Sequence, residues 1–131
     1  MREILFRGKR ADNGEWVEGY YYKAKYCRTD DELCDYITVP HPKEYNEPSS
    51  HYIVDPETVG QYTGLKDKNG NKIFEGDILQ VYYSDGNNIT VSTGTVTYLN
   101  GCYIIDSILF YNYRLDEFFS LEKIGNIYDK F

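Results

Sequence analysis

Three Asn-Gly pairs, at residues 13–14, 69–70 and 100–101, most strongly limit the folds that this chain of 131 residues can adopt. Asn-Gly favours the type I′ turn, in which both central residues have positive φ, and this turn joins two antiparallel strands. Runs rich in Tyr, Val, Ile and Thr accompany the pairs, among them residues 15–23 and 90–99. The sequence therefore predicts a chain built from β-hairpins.

Composition and periodicity support β structure. Aromatic residues make up 17% of the chain, and the 15 tyrosines dominate them; tyrosine favours strands and has an apolar body with a polar tip. Helical periodicity is almost absent, although residues 55–58 could form one turn capped by Asp55, and residues 115–121 fit either a short helix or a bent strand. Strands are predicted at residues 3–7, 15–23, 35–39, 59–63, 78–83, 90–99, 102–111 and 122–128.

The predicted fold is mainly β with little helix. Short strands and close turns favour a small, bent β-barrel of SH3-like size in residues 61–131. Residues 1–60 are predicted to hold an N-terminal β-hairpin and an irregular loop region, and the two regions could also form one continuous domain. Within residues 24–52 only the strand at 35–39 is predicted, because a proline-rich polar loop follows it at residues 40–50.

Charge and hydropathy limit the location and the partners of the chain. The net charge is −7, which favours solubility and opposes non-specific attraction to nucleic acid or anionic lipid. No run of about 18 apolar residues could cross a membrane, and residues 1–7 do not resemble a secretory signal. Three cysteines, an odd number, fit a reducing compartment. We therefore expect a cytoplasmic protein that folds without a metal or a disulfide.

The stretch Gly-Leu-Lys-Asp-Lys-Asn-Gly-Asn-Lys-Ile-Phe-Glu-Gly-Asp, residues 64–77, looks at first like a ligand loop. A Walker A loop would need Gly-Lys-Ser/Thr before a helix, and that sequence is missing. Asp67, Asn69 and Asn71 alternate as at the start of a calcium loop, but the closing Glu is replaced by Ile78. The stretch is therefore predicted to be a hairpin in which Gly76 and Asp77 lead into the next strand.

Other residue types that could carry chemistry lack the required spacing. Zinc ligands could be sought among Cys27, Cys34, His41 and His51, but no Cys-x2-Cys knuckle is present. A Cys–His nucleophile pair lacks a third, orienting group. Adjacent acids such as Asp116 and Glu117 are usually solvated surface residues. No catalytic, cofactor-binding or metal-binding residue is therefore assigned.

Tyrosine clustering gives the candidate interaction surface. Tyr20, Tyr21 and Tyr22 occupy both faces of one predicted strand, so one face is available for a partner. The candidate surface residues are Trp16, Tyr20, Tyr22 and Tyr62. The same rings could instead pack in the protein or in a subunit interface. A second possibility is a nucleic-acid patch, formed by Lys66, Lys68 and Lys72 beside Tyr62.

Three separated blocks of sequence carry a family resemblance. Residues 6–21, "FRGKRADNGEWVEGYY", residues 54–79, "VDPETVGQYTGLKDKNGNKIFEGDIL", and residues 124–129, "IGNIYD", resemble the YopX family of bacteriophage and prophage proteins. The resemblance implies a β-rich chain with a compact, barrel-like C-terminal part. It implies no catalytic or ligand residues.

Together these features predict a non-enzymatic accessory protein of a phage or prophage, located in the cytoplasm of the bacterial host. We expect an interaction module that binds a protein partner or a second copy of itself, without a cofactor. The alternative is a barrel that binds single-stranded DNA or RNA, which the acidic charge disfavours. An enzyme ranks third, because no catalytic constellation is recognisable.

Overall fold

A computed structural model of the protein describes residues 4–25, 33–40, 50–107 and 109–129, with no side-chain description at 111 and 112. The chain divides into two compact units, Met1–Gln61 and Tyr62–Phe131. The described residues contain the strands β1 (Phe6–Lys9), β2 (Trp16–Ala24), β3 (Cys34–Val39), β4 (Ser50–Ile53), β5 (Gly60–Lys66), β6 (Lys72–Phe74), β7 (Asp77–Ser84), β8 (Ile89–Leu99), β9 (Cys102–Asp106), β10 (Tyr111–Arg114) and β11 (Ser120–Asn126). The prediction of a mainly β chain is confirmed.

The first unit is an antiparallel sheet in the order β4-β3-β2-β1, followed by the first two residues of β5. An isolated antiparallel bridge joins Arg10, after β1, to Val54, after β4. Ile37 and Val54 are the most deeply buried apolar side chains of this unit. Ile37 lies opposite Tyr21 on β2. Because side chains alternate along a strand, Tyr20 and Tyr22 lie on the opposite face of the sheet from this core.

The second unit contains the rest of β5, which pairs with β6, and a five-stranded antiparallel sheet in the order β10-β9-β8-β7-β11. Alternate residues of the central strands, such as Leu79 and Val81 on β7 and Val96 on β8, are buried. The core of this unit consists of Ile73, Leu79, Val81, Val96, Ile105, Phe110, Leu115, Phe118 and Leu121. This cluster is large enough to give the second unit a hydrophobic core of its own.

The closed SH3-like barrel predicted for residues 61–131 is not present, because neither sheet closes. β10 and β11 are the two edges of the five-stranded sheet and do not pair with each other. The segment between them forms a short 3₁₀ helix, Leu115–Glu117, and packs Leu115 and Phe118 into the core. The core of this unit is thus completed by the side chains of Leu115 and Phe118 and not by backbone pairing between β10 and β11.

Only one of the three Asn-Gly turns has the predicted type I′ geometry. Asn100 and Gly101 both have positive φ, 50° and 84°, and they directly join Leu99 to its partner Cys102. At the other two pairs only Gly14 and Gly70 have positive φ. These two turns belong to longer loops, in which a single glycine takes the left-handed conformation before the return strand.

The predicted helical turn at residues 55–58 is confirmed, and the irregularities of the five-stranded sheet lie at its edges. Asp55 caps a 3₁₀ helix, Pro56–Thr58, by accepting a hydrogen bond from the backbone N–H of Glu57 at 3.1 Å, as predicted. Within β8, Gly94 pairs with Leu79 in a regular register. In the five-stranded sheet the described register shifts lie in the edge strands, in β10 and in β11.

Gly70→Val should lower the free energy of unfolding by more than about 1 kcal/mol, because a β-branched residue resists positive φ. Gly70 has φ 84°, and a side chain there would meet no atom within 4 Å, so conformational strain is the expected cause. Urea unfolding followed by circular dichroism measures the change. An unchanged midpoint would show that the left-handed turn is not required.

Candidate functional site: the tyrosine face

The register of β2, β3 and β4 gathers polar and aromatic side chains on the outer face of the first unit. Tyr20 lies opposite Thr38, and Thr38 lies opposite His51. Tyr22 lies opposite Tyr36 in the same way, and Tyr36 opposite Ile53. We call the accessible part of this surface the tyrosine face and define it by its five members: Tyr20, Tyr22, Thr38, His51 and Ile53.

The rings of the tyrosine face are held in place by their neighbours. Tyr22 stacks on the buried Tyr36 with ring centroids 5.3 Å apart and planes 12° apart. The Tyr22 hydroxyl and the Thr38 hydroxyl lie 3.0 Å and 2.8 Å from Nδ1 of His51. Tyr20 is 59% exposed. The face therefore presents one accessible tyrosine beside a second whose rotamer is restricted before any partner binds.

Trp16 lies on the same side of β2 but at the other end of the strand. The guanidinium carbon of Arg7 lies 4.6 Å from its ring centroid, and Nζ of Lys9 lies 5.4 Å away. These cation–π contacts engage the indole within its own unit. Trp16 is therefore less available for stacking than Tyr20.

Tyr62, the fourth predicted surface residue, is not at the surface. It belongs to the second unit and is only 4% exposed, with its ring centroid 5.5 Å from that of Phe74. The Tyr62 ring, which was expected to face a partner, packs against the apolar core instead. The expectation that Tyr62 contributes to an interaction surface is therefore corrected.

The lysines expected beside Tyr62 do not form a free basic patch. Nζ of Lys72 lies 5.9 Å from the Tyr62 ring centroid. Lys68 pairs with Glu122 at 3.1 Å, and this hydrogen-bonded contact raises the pKa of Lys68. Lys66 is exposed and remains available.

The carboxylate of Asp67 organises the stretch 64–77 instead of holding a cation. Its Oδ1 accepts hydrogen bonds from the backbone N–H groups of Asn69 and Asn71, both at 2.9 Å. Its Oδ2 accepts from the backbone N–H of Lys123, on β11, at 3.0 Å. Burial alone would raise the pKa of Asp67, but these backbone donors outweigh it and hold the pKa below its ordinary value. The expectation of a structural hairpin, not a calcium loop, agrees with this geometry.

Asp77 plays a similar structural role at the end of the stretch. Its side chain is fully buried, accepts a hydrogen bond from the backbone N–H of Phe74 at 2.7 Å and lies 3.3 Å from Nζ of Lys123. Gly76 has φ 88°, and its N–H donates to the carbonyl of Val96. This pair directs the chain from β6 into β7.

The residues considered as zinc ligands have other partners where they are described. Cys34 is disulfide-bonded, unlike the reduced thiol expected from an odd number of cysteines, whereas Cys102 is free and exposed. His51 belongs to the tyrosine face. Cys27 and His41 lie outside the described residues. No group of three or more His, Cys, Asp or Glu side chains that could hold a metal occurs within residues 4–25, 33–40, 50–107 and 109–129.

The opposite face of β2 carries Tyr21, a tyrosine whose pKa is strongly raised. The hydroxyl of Tyr21 donates to Oδ2 of the buried Asp35 at 2.5 Å. Burial, together with this hydrogen bond, raises the pKa of Tyr21 to about 12. The hydroxyl therefore stays protonated near neutral pH and is unsuited to act as a base there.

Three members of the tyrosine face were missed from sequence: Thr38, His51 and Ile53. The strand β3 was predicted, but β4 (Ser50–Ile53) begins in the stretch that was expected to be an irregular polar loop. The available signal was the alternation of Ser50, Tyr52 and Val54 with His51 and Ile53, which is weak over so short a run. The register of β2 with β3 places Thr38 opposite Tyr20, and the register of β3 with β4 brings His51 and Ile53 to the same face.

The fold and this surface define a small, mainly β protein of two open antiparallel sheets. The chain belongs to the YopX family, whose model, described as YopX protein, matches residues 5–130. A crystal structure of protein EF1440 from Enterococcus faecalis is similar, with a TM-score of 0.53 and 22% identity over 97% of this chain and 94% of that chain. At this identity the likeness shows the fold alone. No curated protein sequence matches the chain.

The described part of the chain contains no helix that is long and apolar enough to cross a membrane.

Proposed function

We propose that this chain is a non-enzymatic accessory protein of a phage or prophage, acting in the cytoplasm of the bacterial host, and that its tyrosine face binds a protein partner. One observation carries the proposal: exposed Tyr20 stands beside a Tyr22 ring already stacked on Tyr36. Tyrosines with few rotamers left to lose are typical anchors of protein interfaces.

The chemistry of the tyrosine face favours a protein over a nucleic acid. Its five members include no Lys or Arg, whereas nucleic-acid binding needs cations placed to neutralise phosphates. Arg7 and Lys9, the cations nearest along the strands, contact Trp16. Ile53, which is 43% exposed, adds apolar area, and the hydroxyls of Tyr20 and Tyr22 can hydrogen-bond to a polypeptide.

A binding role also agrees with the contacts of the buried polar groups, which hydrogen-bond within the protein. Asp67 accepts from backbone amides, Asp77 contacts Phe74 N–H and Lys123, and Tyr21 donates to Asp35. Each of these groups stabilises a turn or a strand junction. General acid–base catalysis would require such a group to face a substrate with its proton free to transfer.

A photo-crosslinking amino acid, p-benzoylphenylalanine, placed at Tyr20 should capture a protein from a lysate of the bacterial host. Tyr20 is the more exposed of the two tyrosines of the tyrosine face, so replacing it should leave the fold intact. The adduct should persist after nuclease treatment and lose at least about tenfold in yield when Tyr22→Ala is added, because the supporting ring is gone.

The matched control carries the same probe at Lys23, an exposed residue of β2 whose side chain points to the other face. Equal adducts from both positions, or none from position 20, would contradict the proposal. Irradiation of the purified chain alone distinguishes self-association, which yields a homodimer adduct. Light scattering at high micromolar concentration checks that result independently.

A further inference from the structure

The glycine N–H groups of the three Asn-Gly pairs have different surroundings. The N–H of Gly14 donates to the carbonyl of Arg10 at 2.9 Å. The N–H of Gly70 donates to the carbonyl of Asp67 at 3.0 Å. The N–H of Gly101 donates to no group among the residues that the structure describes, and Gly101 is exposed. At this pair alone, the glycine nitrogen is therefore open to solvent.

The three asparagines differ in the same direction. Oδ1 of Asn13 accepts a hydrogen bond from the backbone N–H of Glu15 at 2.9 Å. The backbone N–H of Asn69 donates to Oδ1 of Asp67 at 2.9 Å. The side chain of Asn100 hydrogen-bonds to no residue of the described part of the chain. Asn13 and Asn69 are thus held inside their turns, whereas the amide of Asn100 is free to rotate.

The end of the β8–β9 hairpin offers little packing against such a rotation. Asn100 and Gly101 are both exposed, and they follow Tyr98 and Leu99, which are 54% and 41% exposed. A Cβ placed on Gly101 would meet no atom within 4 Å. A hairpin end with few buried contacts opens locally without unfolding of the core.

We propose that Asn100 is the site at which this chain deamidates, by reaction of its side-chain amide with the backbone nitrogen of Gly101. Base removes the proton of the Gly101 N–H, and the nitrogen forms a bond with Cγ of Asn100. The C–N bond of the side-chain amide then breaks, and ammonia leaves. Water opens the resulting cyclic imide at one of its two carbonyl carbons, which gives aspartate or isoaspartate. Glycine favours this step because it has no Cβ to hinder the nitrogen.

Hydrogen bonding of the glycine N–H explains why the other two pairs are protected. The nitrogen must lose its proton and move towards Cγ of the asparagine, so a hydrogen bond from this N–H must break first. At Gly14 and Gly70 this requirement adds to the barrier of the reaction. At Gly101 no such bond has to break.

Deamidation would change both the charge and the backbone of the hairpin end. Each product adds one carboxylate to a chain of net charge −7. Isoaspartate also inserts a carbon into the main chain of a two-residue turn whose φ values, 50° and 84°, suit the unmodified backbone. The site lies in the second unit and does not depend on the tyrosine face.

The test is peptide mapping by mass spectrometry of the full chain after incubation at mildly alkaline pH. Asn100 should deamidate at least about tenfold faster than Asn13 or Asn69 and should yield both aspartate and isoaspartate. In urea that unfolds the chain, the three pairs should react at rates within about threefold of one another, because the contacts that distinguish them are lost. Gly101→Ala should slow the reaction of Asn100 at least about tenfold, with circular dichroism to check the fold.

Tyr20→Ala is the control for the other proposal and should leave all three rates unchanged. Equal rates at the three pairs in the folded chain, or a faster reaction at Asn13 or Asn69, would overturn the assignment. Aspartate without isoaspartate would exclude the cyclic imide. A folded chain that stays unmodified at Asn100 while the unfolded chain reacts would also contradict the proposal, because the hairpin end would then keep the two groups apart.

Discussion

Gly19→Ala is expected to lower the free energy of unfolding of the first unit by at least about 3 kcal/mol. A Cβ at Gly19 would lie 2.1 Å from the carbonyl oxygen of Thr38 and 2.9 Å from its carbonyl carbon. These are backbone atoms of β3, so they can move away only by disrupting the pairing of β2 with β3. Trp16, the single tryptophan of the chain, lies on β2 and reports this loss through its fluorescence in urea.

Gly14→Ala is the control for this prediction. Gly14 has φ 73°, and a Cβ there would meet no atom within 4 Å. The expected cost is about 1 kcal/mol, from backbone strain without a collision. Equal losses at the two positions would mean that β2 and β3 do not approach each other as closely as the structure places them.

Asp67→Ala is expected to lower the free energy of unfolding by about 3 kcal/mol. The substitution removes the acceptor of three backbone N–H groups, those of Asn69, Asn71 and Lys123. These hydrogen bonds are part-buried. A buried donor left without an acceptor costs about 1–3 kcal/mol, and water can reach part of this turn once the carboxylate is removed, so the expected total lies well below three full penalties. Thermal and urea unfolding followed by circular dichroism measure the change.

Asp85→Ala is the matched control, because the Asp85 carboxylate also accepts hydrogen bonds from backbone N–H groups, but at a solvent-exposed turn. Its Oδ1 accepts from the backbone N–H groups of Asn87 and Asn88 at 2.9 Å and 2.7 Å. Both donors are exposed and can turn to water, so a much smaller loss is expected. A loss as large as that of Asp67→Ala would contradict the role given to burial.

The contribution of the Asp67 carboxylate to stability should depend on pH in the acid range. Because the pKa of Asp67 is lowered in the folded protein, its contribution is complete above the unfolded value of about 3.9 and disappears as the pH falls through the folded value. The stability difference between the wild type and Asp67→Asn should therefore shrink below about pH 4. A difference that stays constant from neutral pH into this range would contradict the assignment.

Features that depend on a few neighbouring residues were predictable from sequence. Asn100 and Gly101 form the type I′ turn, and Asp55 caps its short helix. The strand at residues 35–39 was recognised from its β-branched and aromatic content. The same Asn-Gly signal wrongly predicted type I′ turns at Gly14 and Gly70. Loop length, not the dipeptide alone, selects the turn type.

Features that depend on pairing between distant residues were not predictable. Alternation places Tyr62 on one face of β5, but only the packing of β5 against Phe74 decides that this face is buried. His51 joins Tyr22 only through the register of β4 on β3. Barrel closure likewise depends on whether β10 meets β11, and the 3₁₀ segment containing Leu115 intervenes. The hydrophobic pattern specifies register only where one face of a strand is clearly buried, and β4, four residues long with no fully buried side chain, lacks such a pattern.

The placement of the register shifts affects how readily a strand of another molecule can add to the open sheet. An open sheet exposes unpaired N–H and C=O groups along its outer strands, where a strand of another molecule can add. In the five-stranded sheet the central pairs β7–β8 and β8–β9 keep a continuous register, and the shifts fall at β10 and at β11. An irregular border of this kind is a poor template for edge-to-edge growth, so the sheet can stay open without seeding fibres.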